Sequence, residues 1–355
     1  MLFGRKKRLL GVDIGSHAIK AVLLKKSGKS GFAYELEKIA LEPVSPQVIV
    51  EGDIIDSVAV VDVLDRLFRS MRVRIHDVAI SLSGNSVIIK KIKVPRMSEE
   101  ELRDSIQWEA EQYIPFEIDE VMVDYESLES EEASEGEDMD VVLVAVKKDK
   151  VNDYTSVISQ VGRNTLLVDV DVFAIQNCFD INYPDLTESS VGLVNIGASV
   201  TSINVIEKGV TAFWRDIMIG GNRHTEALQR RLGLGVEQAE DAKRRFEIEG
   251  ASPEAVMPVL ESSSEEIVDV IAKTFDFYYG SSDISSLDKI FISGGTAATP
   301  GFLEMLGNRL GTPVEQMDCF RAISLNTKKF DVDYIQDQSV NFAVAVGLAV
   351  REAEG

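Results

Sequence analysis

The sequence predicts an α/β protein of two similar lobes that face each other across a cleft. Three observations carry that expectation. GVDIGSHAIK (Gly11 to Lys20) and LVNIGASVTSINV (Leu193 to Val205) are one device used twice: an apolar strand, Asp or Asn, Ile-Gly, a small or hydroxyl residue, and a returning strand. The two copies lie about 180 residues apart, and IFISGGTAATPGF (Ile290 to Phe302) adds a third strand ending in glycines and a hydroxyl. Between the two hairpins, residues 86–165 read as a compact β-α-β-β-α block.

In chain order, Leu9–Ser16 and Ala18–Lys25 are strands joined by a tight turn. Ile54 to Met71 carries Val60, Val63, Leu64, Leu67 and Phe68 at helical spacing. Val78–Leu82 and Ser86–Val94 are strands, the second closed by Pro95. Ser98 with Glu101 three positions on reads as a capping box. It opens a helix to about Ile114, where Pro115 stops it. That helix has an apolar stripe of Leu102, Ile106, Ala110 and Tyr113. Trp108 falls off the stripe, so it either packs on a neighbouring domain, the reading favoured here, or anchors a partner. Strands Val121–Tyr125 and Val141–Val146 and a helix from Asp149 to Val161 complete the block. Leu166–Val170, Val191–Asn195 and Thr201–Ile206 read as buried strands. Residues 222–250 are polar helices broken at Gly233–Gly235, Glu265–Tyr279 is helical, and Lys289–Ser293 is a strand. Gly301–Leu310 is a helix, and Val340–Val350 is a buried small-residue helix.

Composition bounds the function. The 355 residues are 45% hydrophobic and 27% charged, as expected of a globular chain. A net charge of −22 disfavours nucleic acid as a partner, because phosphate binding needs a basic surface. No apolar run reaches the roughly 18 residues that would cross a bilayer. Arg5–Arg8, followed only by Leu9 and Leu10 before Gly11, does not read as a secretory signal. Two cysteines (Cys178, Cys319) and three histidines (His17, His76, His224) argue against a Cys- or His-built metal centre and for a reducing compartment. Residues 117–140 hold 12 acidic and no basic side chains, and Glu129–Asp140 reads as a solvated connection rather than a docking loop for a basic partner. RKKR at 5–8, beside Leu2 and Phe3, reads as a frayed tail, with anionic lipid as the alternative contact.

The glycine turns carry the chemistry. Glycine lets backbone approach an oxygen-rich ligand and present N–H groups to it, and a hydroxyl in the turn adds a donor. Two such hairpins facing each other suit a nucleotide whose phosphates touch both. Three ordinary turns are the plainer alternative. No GxxxxGK[ST] is present, and no GxGxxG follows a strand, which argues against a P-loop or a dinucleotide fold.

These residues resemble the actin-like ATPase superfamily. DIGS (Asp13 to Ser16) is similar to its first phosphate turn, NIGAS (Asn195 to Ser199) to its second, and SGGTAATPG (Ser293 to Gly301) to its adenosine motif. GGN (Gly220 to Asn222) and AEDAK (Ala239 to Lys243) are similar to its GG-(D/N) and AE-x-x-K nucleotide contacts. LFG…GVDIGS and QWEAEQYIPF (Gln107 to Phe116) more closely resemble the PilM family of the type IV pilus assembly platform, over nearly the whole chain. The block 86–165 is similar to the inserted subdomain that the family shares with FtsA, while Arg351–Gly355 does not resemble FtsA's closing amphipathic helix.

The resemblance implies an actin-like two-lobed fold with an FtsA-like inserted subdomain. Residues 1–85 and 166–190 would form subdomain 1A, 86–165 the inserted 1C, 191–222 and 271–338 subdomain 2A, 223–270 subdomain 2B, and 339–355 a closing helix of 1A. It implies ATP with Mg²⁺, and capture of the N-terminal cytoplasmic peptide of PilN in a groove between 1A and 1C. The chain would then be cytoplasmic and peripheral to the inner membrane. It would touch the membrane only through that partner, work beside other platform and motor components, and have room for self-association.

Carried onto this sequence, Asp13 would hold Mg²⁺ through water, and Gly15 and Ser16 would contact the terminal phosphates. Lys20 would neutralise phosphate charge, and Gly197, Ala198 and Ser199 would cradle the phosphates from the other side. Gly221 and Asn222 would contact the nucleotide, Glu240 and Lys243 the ribose or adenine, and Gly294, Gly295 and Thr296 the α-phosphate and adenosine. Asn195 departs from the Asp of hydrolysing relatives, and an amide cannot accept a proton. Asp171 either orients water or caps a helix, the latter being favoured. The expected function is an ATP-binding scaffold with slow or absent turnover. Its rivals are an FtsA-like filament scaffold, a small-molecule kinase lacking any clear catalytic Asp beside a sugar pocket, and a binding module without nucleotide.

Overall fold

The computed structural model describes residues 7–28, 31–128, 138–246, 248 and 251–353. The acidic residues 129–137 and the first six residues lie outside that range, so the readings made for them are not addressed below.

Leu10–Ile14 (β1) and Ala18–Lys26 (β2) form an antiparallel hairpin in which Ile14 faces Ile19, leaving residues 15–18 as the turn. Tyr34–Pro43 (β3) extends it to a three-strand meander. Ser57–Met71 (α1) starts at Asp56, whose side chain accepts the Ala59 N–H at 3.0 Å. The helix buries Val60, Val63, Leu64, Leu67, Phe68 and Met71 on the sheet, as its spacing requires. Asp77–Leu82 (β4) then runs parallel to β1.

The insertion follows: Val87–Val94 (β5), Glu99–Glu111 (α2), Val121–Ser127 (β6), Met139–Lys147 (β7) and Lys148–Gln160 (α3). β7 pairs antiparallel with both β5 and β6. α2 carries the capping box between Ser98 and Glu101. Its Leu102, Ile106 and Ala110 pack with Ile92, Val94, Val121, Val141 and Leu143 in a core of the insertion's own. α3 instead sends Val151, Tyr154, Val157 and Ile158 into the core around α1, which anchors the insertion to the first lobe. α2 ends at Glu111, short of Ile114, although the Tyr113 and Ile114 amides still bond to the Ala110 carbonyl. Trp108 is 73% exposed, which overturns the reading that it packs on a neighbouring domain.

Asn164–Val170 (β8) lies parallel to β4 and leads into Asp171–Asn182 (α4). The second lobe repeats the first. Ser190–Ile196 (β9), Thr201–Glu207 (β10) and Val210–Ile217 (β11) form a meander. Asn222–Leu232 (α5), Val236–Arg245 (α6) and Pro253–Ser281 (α7) follow, with Gly233 ending α5 in the left-handed region. α7 is one helix reaching back to Pro253, well before the expected Glu265. Lys289–Ser293 (β12) runs parallel to β9, and Phe302–Leu310 (α8) leads to Val314–Gln316 (β13). Ile323–Ser324 (β14) pairs parallel with β3, and Val332–Asp337 (α9) precedes Ala343–Ala349 (α10).

The sheet orders are β14-β3-β2-β1-β4-β8 and β11-β10-β9-β12-β13, so each lobe is a meander followed outward by two parallel strands. The repeated glycine device in the sequence is therefore a repeat of the whole sheet. α10, preceded by a 3-10 turn over Ser339–Phe342 instead of continuing from Val340, is wholly buried. It lies so close to β1 and α4 that only glycine fits at positions 11 and 347. Lys7 pairs with Ala353 and Arg8 with Glu352, and Arg8 Nη1 donates to Glu37 Oε2 at 2.8 Å, so these two residues are not a frayed tail. No helix among the described residues is long and apolar enough to cross a membrane.

Candidate functional site

The two meanders point their first turns into one cavity of about 490 Å³ between the lobes. Both turns close in the same way. The Gly15 N–H bonds to the Ala18 carbonyl at 3.2 Å, and the Gly197 N–H to the Val200 carbonyl at 2.9 Å. Among the described residues, the amides of Ser16, His17, Ala198 and Ser199 make no backbone hydrogen bond, which leaves them for a ligand.

The third glycine turn joins them. Gly294 sits at φ +87°, and a Cβ there would run into the backbone of Ile196, so the turn after β12 lies directly on the end of β9. The Gly294 N–H bonds to the Val340 carbonyl at 2.7 Å, and the Thr296 hydroxyl donates to the Gly197 carbonyl at 3.2 Å. The Gly221 and Asn222 amides bond to the Gly197 and Ala198 carbonyls at 2.9 and 2.8 Å. Two separate chain segments thus brace the second turn.

Opposite charges are already matched around the cavity. Lys20 Nζ lies 2.9 Å from Asp13 Oδ2. Lys243 Nζ lies 2.8 Å from Glu240 Oε1 and 3.0 Å from the Thr225 hydroxyl. Burial lowers the Lys243 pKa, and Glu240 opposes that. Burial works against ionising Glu240 too, but Lys243, Thr225 and His17 outweigh it and hold its carboxyl below the usual range. Asp171 accepts the Ser81 hydroxyl at 2.5 Å. Burial, with the Asp13 charge adding to it, raises the Asp171 pKa to about 6. Asn195 Oδ1 accepts the Ser293 hydroxyl at 3.0 Å.

Of the residues singled out in the sequence, Asp13, Gly15, Ser16, Lys20, Asp171, Gly197, Ala198, Ser199, Gly221, Lys243, Gly294, Gly295 and Thr296 all line this cavity. Asn222 and Glu240 stand behind the lining. Asn222 Nδ2 donates to the Ser199 hydroxyl at 3.2 Å, and Glu240 holds Lys243. Asp171 is not a helix cap: Val170 occupies that position and Asp171 is the first residue of α4, its carboxylate turned to Ser81. The sequence reading missed Ser81, Ser202, Arg244, Phe246 and Asn341, which also line the cavity, and gave His17 no role. His17, Ser202, Arg244 and Phe246 lie within three residues of ones that were named, whereas Ser81 and Asn341 come from distant segments and carry no local signal.

The raised Asp171 pKa has a stability consequence. The folded state holds the proton up to about pH 6, whereas an unfolded Asp releases it near 3.9, so ionised Asp171 destabilises the protein as pH rises through that window. Asp171→Asn is expected to raise the unfolding free energy by about 3 kcal/mol at pH 7.5 and to leave it nearly unchanged at pH 4. Urea titrations at the two pH values check this, and an equal effect at both contradicts it.

Two sheets of one strand order, each sending a glycine turn into a shared cleft, define an actin-like ATPase fold. Solved structures agree: EutJ from Carboxydothermus hydrogenoformans (16% identical, TM-score 0.58, covering 97% of this chain and 89% of that one) and MreB5 of Spiroplasma citri bound to AMPPNP (13%, TM-score 0.50, 96% and 94%) share the fold. The chain belongs to the PilM family of type IV pilus assembly proteins, whose family model matches residues 11–353. It is similar to the PilM-PilN type IV pilus biogenesis complex at 26% identity and a TM-score of 0.87, covering 98% of this chain and 99% of that one. A curated relative, the ethanolamine utilization protein EutJ of Escherichia coli K12, is 23% identical over 116 residues, and the match spans only 37% of that relative's length.

Proposed function

We propose that this chain is a cytoplasmic, ATP-binding scaffold of the type IV pilus assembly platform, and that it captures the N-terminal peptide of a PilN-like membrane protein. The observation that carries the nucleotide half is the pair of identically closed glycine turns facing each other across one cavity. The donor set fits a triphosphate: unused turn amides, the Lys20 and Lys243 ammonium groups, and the Ser16, Ser199 and Thr296 hydroxyls. Glu240 Oε2, buried without a hydrogen-bond partner, suits a sugar hydroxyl. Asp13 would hold Mg²⁺ through water. Among the described residues no cluster of three or more His, Cys, Asp or Glu could hold a metal ion directly, so water would complete the shell. Asn195, hydrogen-bonded as an acceptor to Ser293, offers no base, which supports slow or absent turnover.

The peptide half rests on family membership and on two open sheet edges. β6 is the outer strand of the insertion's sheet and β8 the outer strand of the first lobe's. They lie near enough for the Asp124 charge on β6 to act on Asp169 of β8. Met122 on β6 and Leu166 and Val168 on β8 are exposed, an apolar lining that an extended peptide would cover. The subdomain limits given above are part of this reading, as is a peripheral position at the inner membrane through the partner's transmembrane helix.

A physical route connects cleft and insertion. Ser202, which lines the cavity, hydrogen-bonds to Asp216 of β11, and Asp216 Oδ2 accepts the Gly84 N–H at 2.7 Å at the start of the insertion. Trp214, also on β11, donates its Nε1–H to the Ile89 carbonyl at 3.1 Å. Lobe closure would therefore move the insertion, and ATP would alter peptide affinity. Calorimetric titration of a PilN-like N-terminal peptide, with and without saturating Mg-ATP, tests this. A several-fold ATP-dependent change is expected for the native chain and its loss for Trp214→Phe, which retains the ring but not the donor. Equal peptide affinity with and without ATP discards the coupling, and no peptide binding discards the scaffold reading.

A further inference from the structure

His17 sits in the first glycine turn, yet its side chain does not stay with its own lobe. Its Nδ1 lies 3.6 Å from Glu240 Oε2 on α6, across the cleft. Glu240 is a demanding neighbour, being only 8% exposed. Its Oε1 is taken up by Lys243 and Thr225, while its Oε2 has no hydrogen-bond partner. A buried carboxylate oxygen left in that state is costly, and at 3.6 Å the imidazole gives only electrostatic relief without a hydrogen bond. His17, Lys243, Arg244 and Phe246 all line the cavity.

We infer that His17 is a specificity-determining gate: it occupies the approach to Glu240 Oε2, and a nucleotide must displace it before its sugar hydroxyls can bond to that oxygen. This inference rests on the nucleotide reading above and deepens it. The ligand class is a nucleotide with a free vicinal diol, because a hydroxyl donates to Oε2 at hydrogen-bond distance and the imidazole does not. The groups that face His17 are Glu240, Lys243 and Arg244 on α6 and Lys20 on β2. Burial lowers the His17 pKa, Glu240 raises it, and the three cations lower it further, so near neutral pH the ring is an uncharged and displaceable neighbour.

The test is titration calorimetry of the full chain and of His17→Ala with Mg-ATP, Mg-ADP, 2′,3′-dideoxy-ATP and inorganic pyrophosphate. His17→Ala is expected to tighten ATP and ADP roughly threefold to tenfold, because the variant no longer gives up the His17–Glu240 attraction, a cost on the scale of one hydrogen bond. It should leave dideoxy-ATP and pyrophosphate unchanged, since neither offers a sugar hydroxyl to Glu240. His17→Asn, too short to reach across, should behave like His17→Ala and guards against a defect peculiar to one variant. Unchanged or weakened ATP binding in both variants overturns the gate, and an equal gain for dideoxy-ATP overturns its assignment to the sugar. If neither the native chain nor the variants bind any nucleotide, the nucleotide reading itself fails. Binding of ATP by all three with one affinity removes only the role of His17.

Discussion

Gly347→Ala is expected to destabilise the protein by about 3 kcal/mol or more, a large share of a typical domain's stability. The reason is geometric. Gly347 lies in α10, and a methyl group there would overlap the Ala174 carbonyl and Cα of α4. A flexible side chain could swing away from such an overlap, but backbone cannot. Either α10 or α4 must shift, and α10 also presses on Gly11 of β1, where a Cβ would meet Ala345 and Ala349. Movement in one direction thus opens a gap and in the other makes a second collision. A urea midpoint that falls with its slope preserved is the expected signature. Gly280→Ala, in the last turn of α7 with open space around it, is the control and should be neutral or slightly stabilising. If Gly347→Ala behaves like that control, the close approach of α10 is wrong.

The consequence reaches the cleft, because the segment leading into α10 forms part of its wall. Asn341 and Val344 line the cavity, and the Val340 carbonyl holds the Gly294 amide. A displaced α10 would loosen the third glycine turn, so nucleotide affinity and stability should fall together in this variant.

What the sequence showed best were features written in adjacent residues. Both hairpins, the Ser98 capping box and the α1 stripe appear where expected, since each depends on neighbours within a few positions. β3 was missed because Glu35, Glu37, Lys38 and Glu42 interrupt its apolar alternation, and it is held instead by pairing with β2 along its length. α4 was anticipated only through the Asp171 cap and given no extent, because polar residues such as Gln176, Asn177, Asp180 and Asn182 are spread around a helix packed between α10 and the second lobe, so no amphipathic period marks it. In the site, the turn residues were legible and their supports were not. Ser81, Ser202 and Asn341 are ordinary residues in sequence and become lining only when strands from both lobes end at one place. Trp108 shows the opposite error: an off-stripe aromatic was expected to be covered by the fold, and it stands in solvent.

Lys20→Ala is expected to weaken Mg-ATP binding by about a hundredfold and AMP binding far less. Lys20 on β2 and Asp13 on β1 are adjacent partners, with side chains 19% and 14% exposed, so their charges are only partly screened. At about 4 Å and an effective dielectric near 20, two unit charges interact by about 4 kcal/mol before desolvation is subtracted. Removing the ammonium group takes one favourable charge from the phosphates. It also leaves the Asp13 carboxylate unneutralised beside them, so the two losses have the same sign. The ligand's own charge decides how much is felt: a triphosphate near Asp13 suffers most, and a monophosphate held toward Thr296 and Lys243 suffers least. Lys20→Arg keeps the charge and should recover most of the affinity, while Lys20→Ala with Asp13→Asn should recover part of it by removing the repulsion. A uniform loss for ATP, ADP and AMP would mean that Lys20 supports the turn and does not meet the terminal phosphates.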